Sequence, residues 1–281
     1  MKDEDCVAFL QWALPHLELH WPGFRKVRRQ VCRRLKGRMS ELGVPGFSDY
    51  RDYIADHPEE WGVIDAFCHI TISRFLRDRN VFRVLGDVIL PEAAQRAAAE
   101  GRDVRCWSAG CASGEEVYSL KIAWERLARA RAPDISFSII GTDIDETVLR
   151  RAETGCYERS TLRELPVWWL NECFVRKGES YCVRREFRDN ISFQLQDIRE
   201  ILPVGPFDLI LCRNLVFTYF ARSLQERMLE RIATRLQCRG VLVIGAHETL
   251  PAGAVDFRPV LECREIFRWL PVRPECPMDR G

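Results

Sequence analysis

Apolar residues recur every three or four positions up to about position 80, and gather into short continuous runs after that. Val7, Leu10, Leu14 and Leu17 fall at helical spacing. Val27, Val31 and Leu35 lie four apart inside a strongly basic segment at 25–39, which places Arg28, Arg29, Arg33, Arg34 and Arg38 around one amphipathic helix. Gly43 and Pro45 end it. Shorter helices are expected at 47–55 and 61–70, with His57-Pro58 breaking the chain between them. Positions 85–99 read as a helix that leads into the next part. Apolar runs at 104–107, 135–140, 191–195, 209–212 and 241–244 then read as strands, with helical patterns at 115–130, 145–153 and 223–236 between them. Such alternation predicts a mostly parallel sheet covered on both faces. A final edge strand is expected at 266–270, and a disordered charged tail at 274–281.

Composition narrows the class without naming a function. The 281 residues suffice for one large core, or one core plus a small satellite. Charged residues make up 30% and hydrophobic ones 47%, as in an ordinary globular protein, and the net charge of +1 creates no field that favours nucleic acid or a membrane surface. No apolar run approaches the ~20 residues a membrane helix needs. The first residues, Met-Lys-Asp-Glu-Asp-Cys, are acidic at once and lack a signal-peptide core. The 12 cysteines are scattered and form no CxxC pair, so they are expected to be reduced, partly buried and small-hydrophobe-like, in a cytoplasmic protein.

The densest chemical signal lies at 104–118. A strand containing Val104, Cys106 and Trp107 runs into small residues from Ser108 to Gly114, and a helix opens with Glu115 and Glu116. A second strand then ends on Gly141-Thr142-Asp143-Ile144-Asp145. A strand, a glycine turn, a helix and a second strand ending in acid form the front half of a nucleoside-binding α/β unit. Gly110 and Gly114 alone are equally compatible with plain turn glycines. Asp143 shifts the balance, because a carboxylate at that strand end can take two ribose hydroxyls while Asp145 caps the next helix. With no Walker lysine and no GxGxxG, the adenosine of S-adenosylmethionine fits better than a dinucleotide. Two other segments keep two readings each. The strand at 207–212 ends in Arg213-Asn214, either as ligand-binding groups at the carboxyl edge or as a salt-bridged strand end. Thr71 to Asp78, at the junction of the helical and sheet parts, reads most simply as a helix start capped by Thr71 or Ser73.

Taken together and in order, these segments resemble the CheR-type chemotaxis-receptor glutamate O-methyltransferases. The likeness rests on TISRFLRD, RCWSAGCASGEEVYSL, GTDIDETVLRRAETGCY, FDLILCRN and RGVLVIGAHE, and covers about residues 25–270. It implies an α/β fold: a Rossmann-like class I methyltransferase sheet, mostly parallel with the last strand antiparallel, a small all-helical N-terminal domain and a small antiparallel β insert. On this chain the helical domain would occupy 1–84, the S-adenosylmethionine-dependent domain 85–273, and the insert about 173–190.

The resemblance also implies roles for individual residues. S-adenosyl-L-methionine would lie across the strand ends with Gly110 in the turn, Asp143 on the ribose, Glu116 near the methionine or ribose part and Asp197 beside the adenine. Thr71, Ser73 and Arg77 match the family's cofactor- and substrate-facing junction, and Arg213 and Asn214 its Arg-Asn strand end. Arg77 would hold both oxygens of an acceptor carboxylate, and Tyr219 would offer an orienting hydroxyl. Arg34 and Arg38 fall on a basic helix that faces an acidic substrate helix, with a merely solvated charged face as the alternative. The expected partner is an acidic helical segment of a signalling or receptor protein. Nucleic acid, a metal and membrane insertion are not expected, and the chain is expected to be a monomer. Three departures from the family pattern bear on the substrate rather than the cofactor: Phe75-Leu76-Arg77-Asp78 in place of Phe-Phe-Arg-Glu, Tyr219 one residue later after Arg-Asn, and Gln237-Cys238-Arg239-Gly240 and His247-Glu248-Thr249 in place of Pro-Gly-Gly and His-Ser-Glu. They motivate two alternatives, a related enzyme acting on another carboxylate outside chemotaxis and a cofactor-binding regulator with weak catalysis.

Overall fold

The computed structural model describes residues 3–271, so the expected tail at 274–281 lies outside the described residues. The chain divides into two compact units: the residues up to Ile70 together with Val216–Glu226, and Thr71–Leu215 together with the residues from Arg227 on.

The first unit is helical. Its opening helix, Asp3–Ala13, carries Asp3, Glu4 and Asp5 in the first turn, where carboxylates complement the positive end of the helix dipole. The helix buries Cys6, Phe9, Leu10 and Ala13. The basic helix spans Arg28–Glu41 and buries Val31 and Leu35 of the expected stripe together with Cys32 and Met39, while Val27 stands before it as the N-cap residue. It ends as expected before Gly43, whose φ of +68° is left-handed backbone that glycine adopts at little cost. Helices Phe47–Asp56 and Glu60–Phe67 follow. The Phe9 ring stacks on Phe47 at 5.0 Å and lies 5.5 Å from Tyr50, joining the first helix to Phe47–Asp56 in one core. The four-residue helix Val216–Tyr219 belongs here because of Gly23, where a Cβ would stand 2.0 Å from the Thr218 carbonyl oxygen. His20 N–H donates to Tyr219 O at 2.9 Å and Ala221 N–H to Glu18 O at 2.7 Å.

The second unit carries the sheet. Strands β1 (Val104–Ala109), β2 (Phe137–Asp143), β3 (Cys156–Glu158), β4 (Phe174–Lys177), β5 (Ser180–Val183), β6 (Ile191–Leu195), β7 (Phe207–Leu211), β8 (Leu236–Val243), β9 (Phe257–Val260) and β10 (Cys263–Trp269) form two sheets among the described residues. The larger has the order β6-β2-β1-β7-β8-β10-β9. Neighbours from β6 to β8 pair in parallel, whereas β10 runs antiparallel to β8 and β9 antiparallel to β10. The mostly parallel sheet with an antiparallel late strand is therefore present, but β10 is not its edge, because β9 pairs along its free side. β7 is buried at every position, as a strand covered on both faces must be. Trp107 is wholly buried, and its indole N–H reaches Thr142 Oγ1 at 3.0 Å.

The smaller sheet is antiparallel, in the order β3-β5-β4. The β4–β5 hairpin lies where the insert was expected, and β3 joins it from upstream. The helix expected at 85–99 begins earlier and is continuous from Arg79, with a π turn at Leu85–Ile89 between Arg79–Val84 and Leu90–Ala99. Pro91 has no N–H to give the carbonyl four residues back, and that oxygen, Asp87 O, accepts from Arg131 Nη1 at 3.2 Å.

The cysteines correct the expectation of a fully reduced set. Cys6 bonds Cys32, and Cys156 bonds Cys182 across the β3–β5 pair, while Cys106, Cys111, Cys173 and Cys263 are free thiols and, like Cys68 and Cys212, buried. Spacing hides such pairs because both bonds join residues 26 apart in sequence, which only the fold brings together. No helix among the described residues is long and apolar enough to cross a membrane.

Candidate active site

Sheet order places the crevice. β1 is flanked by β2 on one side and β7 on the other, so the chain reverses its winding there, and the carboxyl ends of strands at such a reversal are where open α/β sheets bind ligands. After β1 the backbone turns through Gly110, at φ +68°, into the helix Glu115–Ala123. A Cβ on Gly110 would lie 2.7 Å from a Leu215 methyl, so the turn can close this tightly only on glycine.

Asp143 ends β2 and is 9% exposed. One carboxylate oxygen accepts from Ala112 N–H at 2.8 Å and the other from Asp145 N–H at 3.1 Å, tying the turn after β1 to the end of β2. Burial raises the Asp143 pKa above the ordinary carboxylate range, and the backbone donors oppose the rise. Each oxygen keeps acceptor capacity beyond its one backbone bond, which suits a vicinal diol. Asp145 caps the helix Glu146–Thr154, accepting from Thr147 N–H at 2.8 Å. Asp197 stands just beyond β6, where Gln196 N–H donates to Asp143 O at 2.9 Å. Its carboxylate is engaged by the Arg199 guanidinium, with contacts of 2.7–3.1 Å.

The end of β7 builds a charge cluster. The Arg213 side chain is 2% exposed. One terminal nitrogen donates to Glu116 at 2.9 Å; the other donates to Asp78 at 2.5 Å and to the Arg77 carbonyl at 2.9 Å. Ser108 Oγ on β1 holds the second Glu116 oxygen at 2.9 Å. Two carboxylates against one guanidinium leave the cluster one negative charge, which complements a cationic ligand group and opposes a phosphate. Together with a lysine-free turn and the lone pairs left on Asp143, this donor set fits a nucleoside bearing a sulfonium. Asn214 follows in the left-handed region at φ +57°, and its N–H donates to Glu248 at 2.9 Å.

Thr71 to Asp78 is an irregular segment rather than the start of a helix; the helix begins at Arg79. Phe75 is wholly buried, edge-on to Tyr157 at 4.8 Å and Phe174 at 5.3 Å. Arg74 pairs with Glu164 at 3.1 Å. Glu115 is a buried carboxyl whose pKa is raised chiefly by burial, with Ser73 opposing the rise. Thr71 and Arg77 are half-exposed, and the Arg77 guanidinium makes a long 3.5 Å contact with Ile72 O.

Thus Glu116, Arg213 and the backbone of Arg77 are brought into one network, and Gly110 and Asp143 into the neighbouring turn. Thr71, Ser73, Asp197 and Asn214 belong to the same unit, whereas Tyr219, Arg34 and Arg38 lie in the helical unit. The Tyr219 ring is 4.9 Å from Phe24. Arg34 donates to Phe67 O at 2.8 Å and His69 O at 2.9 Å, and Arg38 pairs with Glu60 through two 2.9 Å bonds. Both are therefore engaged within their own unit, while Arg25, Lys26, Arg29 and Arg33 are exposed. Sequence reasoning passed over Ser108, Glu115 and Glu248 and treated Asp78 only as a departure. The one available signal was their position inside the matching segments.

A family profile described as CheR methyltransferase, SAM binding domain, matches residues 71–266, and one described as CheR methyltransferase, all-alpha domain, matches residues 26–64. An uncharacterised 104.1 kDa protein of Rhodobacter capsulatus is 32% identical over 249 residues, covering 87% of this chain and 25% of that protein. A chemotaxis protein methyltransferase of Listeria innocua is 34% identical over 181 residues, 64% of this chain and 66% of its own length. A probable chemotaxis protein methyltransferase of Rhizobium etli is 32% identical over 231 residues, 80% of this chain and 85% of its own. The chain thus spans a quarter of the first relative and just under two thirds of the second.

Proposed function

The chain belongs to the CheR methyltransferase family, and from that premise we propose that it transfers the methyl group of S-adenosylmethionine to glutamate side-chain carboxylates of a chemoreceptor-like signalling protein. The observation that carries this reading is the Arg213 cluster, which fastens the main chain of Arg77 at the carboxyl end of the sheet. The arginine side chain itself is left half-exposed.

The cofactor would supply an electrophilic methyl on a sulfonium. Asp143 would hold its ribose hydroxyls, with the Gly110 turn passing close by and Thr71, Ser73 and Asn214 at the margins. Glu116 would set its carboxylate beside the positive sulfur. Arg77 would hold the acceptor carboxylate by both oxygens and aim one at the methyl carbon. A glutamate is already ionised at neutral pH, so the protein need not remove a proton, and its work is orientation and exclusion of water. Tyr219 would add an orienting hydroxyl. Asp197 could reach an adenine only by sharing its carboxylate with Arg199.

The acidic partner helix would meet the basic helix, where the exposed Arg29 and Arg33 offer charge and Arg34 and Arg38 shape the face from within. The test is incubation with radiolabelled S-adenosylmethionine and the soluble signalling fragment of a chemoreceptor. Base-labile label on receptor glutamates is expected. Label that resists base, or that appears only on small molecules, overturns the reading.

A further inference from the structure

Arg77 sits between two non-glycine residues in the left-handed region, Leu76 at φ +48° and Asp78 at φ +63°. Each such residue is costly, and side chains other than glycine, asparagine and aspartate rarely adopt this region. Such backbone persists only where its surroundings hold it from several sides. Here they do. Phe75 N–H donates to Thr161 O at 3.3 Å, and its ring is buried. Leu76 N–H donates to Ser119 Oγ at 3.0 Å, and that hydroxyl donates to Glu115 O at 2.6 Å. The Arg77 carbonyl and the Asp78 carboxylate are both taken by Arg213 Nη2. Every residue from 75 to 78 is thus fixed through its backbone or its carboxylate, while the guanidinium of Arg77 makes one long contact with Ile72 O at 3.5 Å.

We propose that Asp78 is a positioning residue, whose carboxylate locks the Arg77 backbone onto Arg213 and so aims the Arg77 guanidinium at the acceptor carboxylate. Three features favour this over a purely structural ion pair. Asp78 is 32% exposed, so its charge is not needed to satisfy a deep core. Arg213 already has Glu116 as a counter-ion, so the second carboxylate is surplus to neutralising it. And the same guanidinium nitrogen that binds Asp78 also binds the carbonyl of the residue before it, closing a ring from the Arg77 carbonyl to the Asp78 carboxylate. Asp78 does not touch the reacting atoms and acts through the direction it gives its neighbour.

The inference rests on the reading of Arg77 as the acceptor's arginine, so two independent measurements are required. First, amide hydrogen exchange of the 72–79 segment is followed in the full chain for wild type, Asp78→Asn and Asp78→Glu, with melting temperature recorded alongside. Asp78→Asn should exchange at least roughly 10-fold faster at residues 76–78 with the rest of the sheet unit unchanged, and Asp78→Glu should recover most of the protection. Unchanged exchange in Asp78→Asn overturns the proposal whatever the enzyme's substrate is. Second, methyl transfer and S-adenosylhomocysteine dissociation constants are measured. Asp78→Asn should lose roughly 10- to 100-fold in kcat while its affinity for S-adenosylhomocysteine, which carries no sulfonium charge, stays within about 3-fold, and it should cost almost nothing further in an Arg77→Ala background. A kcat equal to wild type, or an equal loss with and without Arg77, also overturns it. Failure of the wild-type chain to methylate a receptor fragment instead refutes the proposed function and leaves the exchange result to decide the role of Asp78.

Discussion

The Arg213 guanidinium lies 2.9 Å from the Glu116 carboxylate, with the two side chains 2% and 13% exposed. That pair joins the end of β7 to the helix after β1. Removing Glu116 leaves a buried cation with Asp78 as its remaining carboxylate. Glu116→Ala should therefore lower stability by about 2–4 kcal/mol and weaken S-adenosylmethionine binding as well. Thermal melts with and without the cofactor check both. Glu116→Gln keeps the hydrogen-bonding shape and should lose less stability while still losing affinity.

Asp143 should act on cofactor binding. The two charge-assisted hydrogen bonds proposed between Asp143 and the ribose hydroxyls predict that Asp143→Ala weakens the cofactor by about 100-fold. The loss includes the turn, because Ala112 and Asp145 also give up their acceptor. Titration calorimetry with S-adenosylhomocysteine reads it directly, and an unchanged dissociation constant removes Asp143 from the site.

Arg77 should show the opposite division. Arg77→Ala should cost at least about 100-fold in kcat/KM for the acceptor, because a misdirected carboxylate loses the in-line geometry. Its cofactor affinity should stay within about 3-fold, and its melting temperature should be nearly unchanged for a half-exposed side chain. Arg77→Lys should restore little, since an ammonium cannot hold two oxygens in one plane.

Two carboxyls predict opposite pH trends in stability. Arg38, followed by Tyr50, holds the Glu60 pKa below the ordinary range, against the cost of burial. Its stabilisation is present above the unfolded carboxylate pKa and is lost as pH falls. Burial raises the Glu115 pKa, so the folded protein is penalised once pH rises above the unfolded value and the carboxyl must ionise. Glu115→Gln should accordingly melt higher than wild type at about pH 8, with the gain fading by about pH 4. An equal difference at both pH values contradicts the buried carboxyl.

The basic helix should separate into a structural and a docking part. Arg38→Ala strands Glu60, whose side chain is 2% exposed, and should cost about 2–4 kcal/mol because Arg38 itself is partly solvated. Arg29→Glu and Arg33→Glu should leave melting unchanged and raise the acceptor KM roughly 3- to 10-fold. Equal stability losses in all three variants would count against a docking face.

Order of elements, the glycine turn, the acid after the second strand and the arginine stripe were legible in the chain itself, because each is a local pattern of spacing or chirality. The helix Arg28–Glu41 and the strand end at Asp143 stand where periodicity places them. The partners of Arg213 were not legible: Glu116 and Asp78 lie 97 and 135 residues away, and side-chain pairing over that span depends on which strands become neighbours. For the same reason Arg34 and Arg38, alike with Arg29 and Arg33 on paper, turned out to be engaged by Phe67, His69 and Glu60. Local sequence determined which backbone could form. Burial, charge compensation and the meeting of distant segments, which only tertiary packing decides, determined what its charged side chains are free to do.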